Sequence, residues 1–336
     1  METKDIDICI CFYNTPLNYF KECINSVINQ TNKNFNLILL NDGSTNTDIE
    51  EYLNNEILNK KFGFDITYHK QENKQLFLSR IEALKFTASE YIYFFDSDDI
   101  LKSDAIDNMI KAINKNTFGC KPDIISFETD CIKNGKITHN FIQSQHFGLI
   151  TNEKYDYNIL NFFFNNYNDW NRVMWNKIIK ASILKKIYFK EFNFLYRKYM
   201  FFKREDMIHN ILVFMYADSF LDIDRNIITY RLDEDRHQEL DNEKRIMHSL
   251  NRVNVYTKIF RNIKNIKNKS DEYKRLLHEK IYEYINREIT IGNYLINRYN
   301  LQDYIKNYIH DMKKIDVELS VNFDNGKLIF EDKNIL

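Results

Sequence analysis

The chain has 336 residues, 44% hydrophobic and 15% aromatic, with 26 Phe and 22 Tyr against 2 Trp. That is ample apolar material for one large α/β domain or two coupled domains, and it excludes a generally disordered chain. Seven Gly and two Pro exclude collagen-like and low-complexity classes, and 47 basic against 48 acidic residues give no electrostatic case for nucleic acid.

In chain order, residues 5–12 form a short apolar, β-favouring run that predicts a buried strand. Residues 17–29 carry Phe20, Cys23, Ile24, Val27 and Ile28 at helical spacing. Strand 35–40, helix 48–58, strand 64–69, helix 75–87, strand 91–95 and helix 103–113 follow. Strand alternating with helix four times, on short connections, predicts a mainly parallel sheet covered by helices on both faces. The rhythm then breaks. Residues 123–130 and 136–141 flank Asn134-Gly135 and read as an antiparallel hairpin. Residues 155–165, 170–185 and 206–215 read as helices, and 220–222 with 227–230 as edge strands. Helical spacing dominates from 243 to 314 without a proline, and 317–330 can close a small hairpin around Asn325-Gly326. The expected division is an α/β domain over 1–240 and a mostly helical region over 241–336.

Charge is unevenly placed. Residues 1–242 hold 29 basic and 35 acidic side chains, and residues 243–314 hold 16 and 8. The basic helical segment reads as a solvated face, as attachment to an anionic membrane, or as a helical dimer interface. Tyr282, Ile285, Ile289, Tyr294 and Leu295 interleave with its charges. Five cysteines (Cys9, Cys11, Cys23, Cys120, Cys131) form no CxxC pair, which points to reduced thiols in a cytoplasmic protein and not to a zinc site. The first residues do not read as a signal peptide, and no apolar run reaches the ~20 residues that span a bilayer.

Three predicted strands end in polar punctuation: Tyr13-Asn14, then Asn41-Asp42-Gly43-Ser44, then Asp96-Ser97-Asp98-Asp99. Ligands of open parallel sheets bind at the carboxyl ends of the strands, so neighbouring strands would bring these groups to one crevice. An exposed aromatic ring can stack on a flat base, a carboxylate can accept from a ring N–H, and an acidic cluster offers hard oxygens to Mg²⁺ or Mn²⁺. Neither GxGxxG nor GxxxxGK[ST] occurs, so a diphosphate here would need metal in place of a backbone cradle. Taken singly, each motif is also an ordinary turn or helix cap.

The runs Ile10-Cys11-Phe12-Tyr13-Asn14-Thr15, Cys23 to Thr31, Leu40-Asn41-Asp42-Gly43-Ser44-Thr45, Gln71-Glu72-Asn73-Lys74 and Tyr91 to Asp99 together resemble family 2 glycosyltransferases of the GT-A fold. Weaker matches at Trp175-Asn176-Lys177, Glu205-Asp206 and Tyr230-Arg231 carry the resemblance to about residue 232. It implies a GT-A Rossmann-like α/β fold and a metal-dependent, inverting transfer of sugar from a nucleotide diphosphate donor, UDP-linked, to a glycan or lipid-linked glycan of a bacterial surface polymer such as capsule or lipooligosaccharide. A sugar nucleotidyltransferase and a non-catalytic nucleotide-sugar-binding protein are the alternatives. Tyr13 would flank the base and Asp42 hydrogen-bond it; Asp96 would hold the ribose and Asp98 the divalent metal, supported by Asp99. Phe12, Asn14, Arg80, Ser97 and Arg236 complete the expected donor site, and His237 the metal shell. Asp206 would be the general base, with Glu205 its rival, and Trp175 would shape the acceptor site. The chain departs from the family after Lys74, where Gly-Leu-Ser-x-Ala-Arg-Asn becomes Gln75-Leu76-Phe77-Leu78-Ser79-Arg80-Ile81.

Overall fold

Strand β1 (Ile6–Phe12) is buried at every residue, as a strand with parallel neighbours on both sides requires. The structure is a computed structural model that describes residues 4–115, 121–142, 149–151, 159, 163–164, 173–193, 205–232, 241–266, 269–314 and 321–330. The chain divides into two compact units, Met1–Tyr196 with His209–Glu234, and Arg197–Ile208 with Asp235–Leu336.

In the first unit β1 pairs in parallel with β2 (Phe35–Asn41) on one side and β4 (Tyr91–Phe94) on the other, and β3 (Ile66–Lys70) extends the sheet beyond β2. Helix α1 (Leu17–Ile28) buries Phe20, Cys23, Ile24 and Val27, the stripe that its sequence spacing marks. Helix α2 (Asp48–Tyr52) runs into a π-turn over Leu53–Ile57, α3 (Gln75–Ala83) precedes β4, and α4 (Ala105–Ile113) follows a two-residue strand β5 (Ile100–Leu101). Beyond β4 the sheet becomes mixed. Its order is β3-β2-β1-β4-β9-β6-β10-β5, where β6 is Ile124–Lys133, β9 Lys177–Lys180 and β10 Ser219–Arg231. β7 (Lys136–Ile142) pairs with β6 and β8 (Leu149–Thr151) with β10.

Two local expectations change. Within 170–185, residues 177–180 are the strand β9, antiparallel to both β4 and β6, and among the described residues of that span only α5 (Ala181–Lys186) is helical. Four residues are too few to show a period of two, and the buried tyrosines of β4 mark the pairing: Tyr91 and Tyr93 donate to the carbonyls of Pro122 (2.6 Å) and Trp175 (2.7 Å). The two short edge strands at 220–230 are one strand, β10, parallel to β6 and kinked by register shifts around Asn226. The helix expected over 155–165 falls for the most part outside the described residues.

Helix α6 (Glu205–Tyr216) spans the division between the units. The second unit is helical: α7 (Asn242–Asn262), α8 (Asp271–Tyr299) and α9 (Gln302–Lys314), with a hairpin of β11 (Val321–Asp324) and β12 (Lys327–Phe330) around Asn325 and Gly326, both at positive φ. The Asp241 and Ser270 side chains cap α7 and α8. The hairpin lies close on α8: a Cβ on Gly292 would come within 2.7 Å of Leu328 Cδ1, and the Asn293 side chain bonds the Leu328 backbone on both its N–H and its carbonyl. Between α7 and α8, Arg252 grips Glu288 with two hydrogen bonds (2.9 and 2.8 Å) in a buried setting, and Ser249 adds a third. Among the described residues no helix is long and apolar enough to cross a membrane.

Truncating one member of that pair leaves the other charge buried and uncompensated. Glu288→Ala is therefore expected to cost about 3–5 kcal/mol, read as a lowered urea midpoint of the full chain, whereas the joint change Arg252→Met with Glu288→Leu stays close to wild type.

Candidate active site

The strand order puts the carboxyl ends of β2, β1 and β4 side by side, and hydrogen bonds join the three loops that leave them. Asp42 N–H donates to the Phe12 carbonyl (2.9 Å). Asn14 N–H donates to Ser44 Oγ (3.1 Å), and the Asn14 carboxamide oxygen accepts from the backbone N–H and hydroxyl of Thr45 (2.8 and 3.2 Å) and from Asn46 N–H (3.4 Å). On the other side Thr15 Oγ1 and Ser97 Oγ share a buried bond of 2.7 Å. Asn14 adopts φ +49°, a left-handed conformation that Asn tolerates better than most residues. Tyr13, between these anchored neighbours, is 50% exposed.

Asp42 is buried, and its Oδ1 accepts from Gln71 Nε2 (2.7 Å) and Lys74 N–H (2.8 Å). Its Oδ2 has no hydrogen-bond partner among the described residues. Gly43 lets this loop close, because at φ +77° a Cβ would sit 2.7 Å from Asn73 N and 3.1 Å from the Gln71 carbonyl. Gln75 opens α3 at φ +68°, a conformation that costs a residue with a Cβ roughly 1–2 kcal/mol. This is the position where the family pattern carries glycine.

At the end of β4 three carboxylates fall within four residues. Asp96 is partly exposed and accepts from Arg80 Nη2 (3.1 Å), and that guanidinium is buried, 5.9 Å from the Phe94 ring centre. Asp99 is fully buried. Its burial, and then the charge of Asp96, push its carboxyl well above the usual carboxylate range, against the backbone N–H of Arg231 that bonds Oδ1 at 2.8 Å. Asp99 Oδ2 is buried without a partner among the described residues. Asp98 is half-buried, and its carbonyl accepts from Arg231 Nε (2.9 Å). Arg231 also pairs with Glu22 and stacks over Tyr19, 4.2 Å from its ring centre.

Several expected site residues take supporting positions. The Phe12 ring is buried against Phe20 (4.8 Å), so Phe12 packs beneath the loops and presents no exposed face. Asn14 and Ser97 spend their side chains joining the loops, and Arg80 is a buried partner of Asp96. Trp175 is buried and stacked on Tyr230 (4.6 Å, 6° between planes). Glu205 and Asp206 form the first turn of α6, both half-buried, within the second unit. Arg236 and His237 lie outside the described residues, as does Cys120; Cys9, Cys11, Cys23 and Cys131 are buried free thiols. The sequence reading missed Thr15, Ser44 and Gln71 as the joining groups, and Arg231 as a clamp on the acidic loop. Thr15 adjoins Asn14, and Ser44 closes the polar run Asn41-Asp42-Gly43-Ser44, which was the available signal.

Behind Arg80 sits a buried histidine. His209, on α6, stacks on Phe77 (4.6 Å) and bonds Tyr188 Oη through Nδ1, and its Nε2 has no partner among the described residues. Burial first, and then the Arg80 charge, hold its imidazole well below the ordinary histidine range.

A family model described as glycosyl transferase family 2 matches residues 7–207, and the chain belongs to that family. Among curated relatives, a glycosyltransferase, GlyA, of Streptococcus pneumoniae serotype 4 is 34% identical over 110 residues, covering 32% of this chain and 15% of that protein. The minor teichoic acid biosynthesis protein GgaB of Bacillus subtilis is 34% identical over 108 residues, covering 32% and 12%. The matched stretches span a third or less of the curated relatives' own length. Among solved structures, residues 1–349 of S. aureus TarS in complex with UDP-GlcNAc superpose with a TM-score of 0.58 at 14% identity, covering 98% of this chain and 97% of that one. A longer TarS structure gives 0.57 at 16% identity over 85% of this chain and 43% of that chain. This likeness establishes a GT-A-like α/β fold with a helical C-terminal region.

Gln75→Gly removes the left-handed penalty and is expected to raise stability by about 1 kcal/mol, whereas Gly43→Ala meets backbone at a positive φ and lowers it by at least that much; thermal melts of both variants check the pair. His209 gives a pH signature. Its folded pKa lies below its unfolded value, so the unfolded chain binds the extra proton; the contribution to stability is complete above about pH 6.5 and is lost as pH falls below it. Melting curves from about pH 8 to about pH 5 should fall by up to about 1.4 kcal/mol per unit more steeply in wild type than in His209→Phe.

Proposed function

We propose that the protein is a metal-dependent, inverting glycosyltransferase that takes a sugar from a nucleotide diphosphate donor, UDP-linked, and adds it to a glycan or lipid-linked glycan in bacterial surface polysaccharide synthesis. The observation that most supports this reading is the set of hydrogen bonds joining the three loops, with an exposed Tyr13, a buried Asp42 and the Asp96–Asp99 cluster at neighbouring strand ends. The UDP-GlcNAc bound in the structurally similar TarS fragment supports a nucleotide-sugar donor. Tyr13 would flank the uracil ring, Asp42 Oδ2 would accept its N–H, and Asp96, held by Arg80, would take the ribose.

The residues present fit a divalent cation. Asp98 and its neighbours offer hard oxygen ligands, and the partnerless Asp99 Oδ2 lies in the same loop. Among the described residues no group of three or more His, Cys, Asp or Glu side chains is gathered as a metal site. Carboxylate oxygens of this kind would suit Mg²⁺ or Mn²⁺ held by one or two side chains together with phosphate oxygens, and Asp98 would be the principal ligand. When bound, the ion supplies electrostatic stabilisation of the departing nucleoside diphosphate.

The acceptor hydroxyl is a poor nucleophile until a carboxylate removes its proton during attack, a service worth ~10²–10⁴ in rate. Asp206 at the start of α6 is the proposed base, and Glu205 is its rival. One displacement by the activated oxygen at the anomeric carbon breaks the bond to the diphosphate and inverts that centre.

Calorimetry with UDP should show binding that strengthens with Mn²⁺, and Asp98→Asn should lose the metal-dependent part. Asp206→Asn should bind UDP as wild type does while transfer drops by ~10²–10⁴. Metal-independent UDP binding would overturn the role of Asp98, and full turnover in Asp206→Asn would transfer the base role to Glu205.

A further inference from the structure

The acidic loop at the end of β4 is fastened to helix α1, and to the residues that lead into it, at three points. Thr15, just ahead of α1, shares its buried hydroxyl bond with Ser97, and the Cys23 thiol, within α1, donates to the Asp96 carbonyl at 3.6 Å. The third point runs through Arg231. This is the last residue of β10, which the antiparallel pairing of Thr229 with Ile100 and of Ile228 with Leu101 carries past the loop. Its backbone N–H reaches Asp99 Oδ1 (2.8 Å), and its side-chain Nε reaches the Asp98 carbonyl (2.9 Å). On the far side of the same guanidinium, Nη2 bonds Glu22 Oε2, and the group's centre lies 4.2 Å from the Tyr19 ring centre. Tyr19 and Glu22 stand three residues apart on α1 and so share one face of it. The Arg231 side chain is 11% exposed, against 49% for Glu22.

A planar guanidinium can bond in two directions at once while lying flat on a ring. Here α1 fixes the guanidinium, and the guanidinium in turn fixes the main chain of Asp98. We propose that Arg231 is a positioning residue for Asp98, raising the affinity of the site for a divalent cation by holding the acidic loop against α1. This rests on the metal-dependent glycosyltransferase reading above and adds to it a residue that acts through the main chain of the ligand. Charge alone argues the other way. A cation beside a metal site repels the incoming ion, so a role by charge would make the site bind metal better once Arg231 is gone. A role by position makes it bind worse. The direction of the change therefore separates the two.

The test measures UDP binding to the full chain by calorimetry across a Mn²⁺ series and in EDTA, with uridine, which carries no phosphate, as a metal-blind control. Arg231→Ala keeps the backbone N–H that serves Asp99 and removes the side-chain contacts with Asp98, Glu22 and Tyr19. It should raise the Mn²⁺ concentration needed for half of the strengthening about tenfold, as loss of an outer partner of a metal ligand does. Uridine binding should stay within about twofold of wild type. Arg231→Lys should behave like Arg231→Ala, because one amine cannot serve Asp98 and Glu22 together. Should Arg231→Ala unfold the chain, Tyr19→Leu combined with Glu22→Ala carries the test. Both positions are partly exposed, and the pair leaves Arg231 in place without its anchors, which should shift the Mn²⁺ midpoint the same way by about threefold. A midpoint that is unchanged or lower in folded Arg231→Ala overturns the inference alone. Uridine binding, or UDP binding in EDTA, that falls as far as UDP binding with Mn²⁺ also overturns it, in favour of direct contact between Arg231 and the nucleotide. Wild type binding UDP equally with and without Mn²⁺ overturns the metal role of Asp98 and this inference with it.

Discussion

Three carboxylates within four residues, at the buried end of a central strand, are the constraint around which the first unit is organised. Like charges that close cannot all remain ionised and unpaired in a low dielectric. Each acid meets a different answer. Asp96 takes the Arg80 guanidinium, and Asp99 is buried so deeply that its carboxyl is pushed toward the neutral form, steadied by the Arg231 N–H. Asp98 is held through its backbone by the Arg231 side chain, so its position is fixed from the main chain. The loop is thereby held from within the protein, by the Arg80 side chain on one acid and by Arg231 on the other two.

The neighbours of this cluster are kept uncharged. Burial pushes the Cys23 thiol and the Tyr93 phenol upward, and the Asp99 and Asp96 charges push in the same direction. Burial also raises the Tyr188 phenol, and it keeps His209 in its neutral form beside Arg80. A second cation there would meet the Arg80 charge, which is one cause of the lowered imidazole. The Arg80 end of the Arg80–Asp96 pair is thus buried among aromatic groups, and the Asp96 end is partly exposed.

The early strand–helix rhythm was legible because β1, β2 and β4 are apolar runs that stop at polar residues, and the strand order then placed Tyr13, Asp42 and Asp98 at adjacent ends. What could not be read were features that depend on partners distant in sequence. β9 is a strand only because β4 and β6 flank it, and four residues carry too little periodicity to declare that. Arg80 was placed from the family pattern near the diphosphate, but its partner sixteen residues later makes it a support. Phe12 and Trp175 were expected at the site in the light of the family resemblance, and packing on Phe20 and on Tyr230 turns both rings inward. Phe141, a residue with no motif around it, stacks on Tyr230, distant in sequence, and stays exposed.

The loops at the strand ends also carry a cost that bears on the chemistry. Their backbone donors are largely consumed within the protein: Asn14 N–H by Ser44, Ser44 N–H by Asn41, Thr45 and Asn46 N–H by Asn14, Lys74 N–H by Asp42, Gln75 N–H by Asn73 and Asp99 N–H by Asp96. Folds that bind phosphate without metal direct such N–H groups at the anion, commonly from a glycine-rich turn at a helix start. Here the same groups stiffen the loops, and the one glycine among them, Gly43, is needed for a close approach to Asn73. A diphosphate at these strand ends would meet acidic side chains and, at the positions named, amides already bonded within the protein. Under the proposed reading its charge would have to be balanced by something it brings or shares with the protein, and a divalent cation with Asp98 among its ligands would be of the kind these oxygen groups suit.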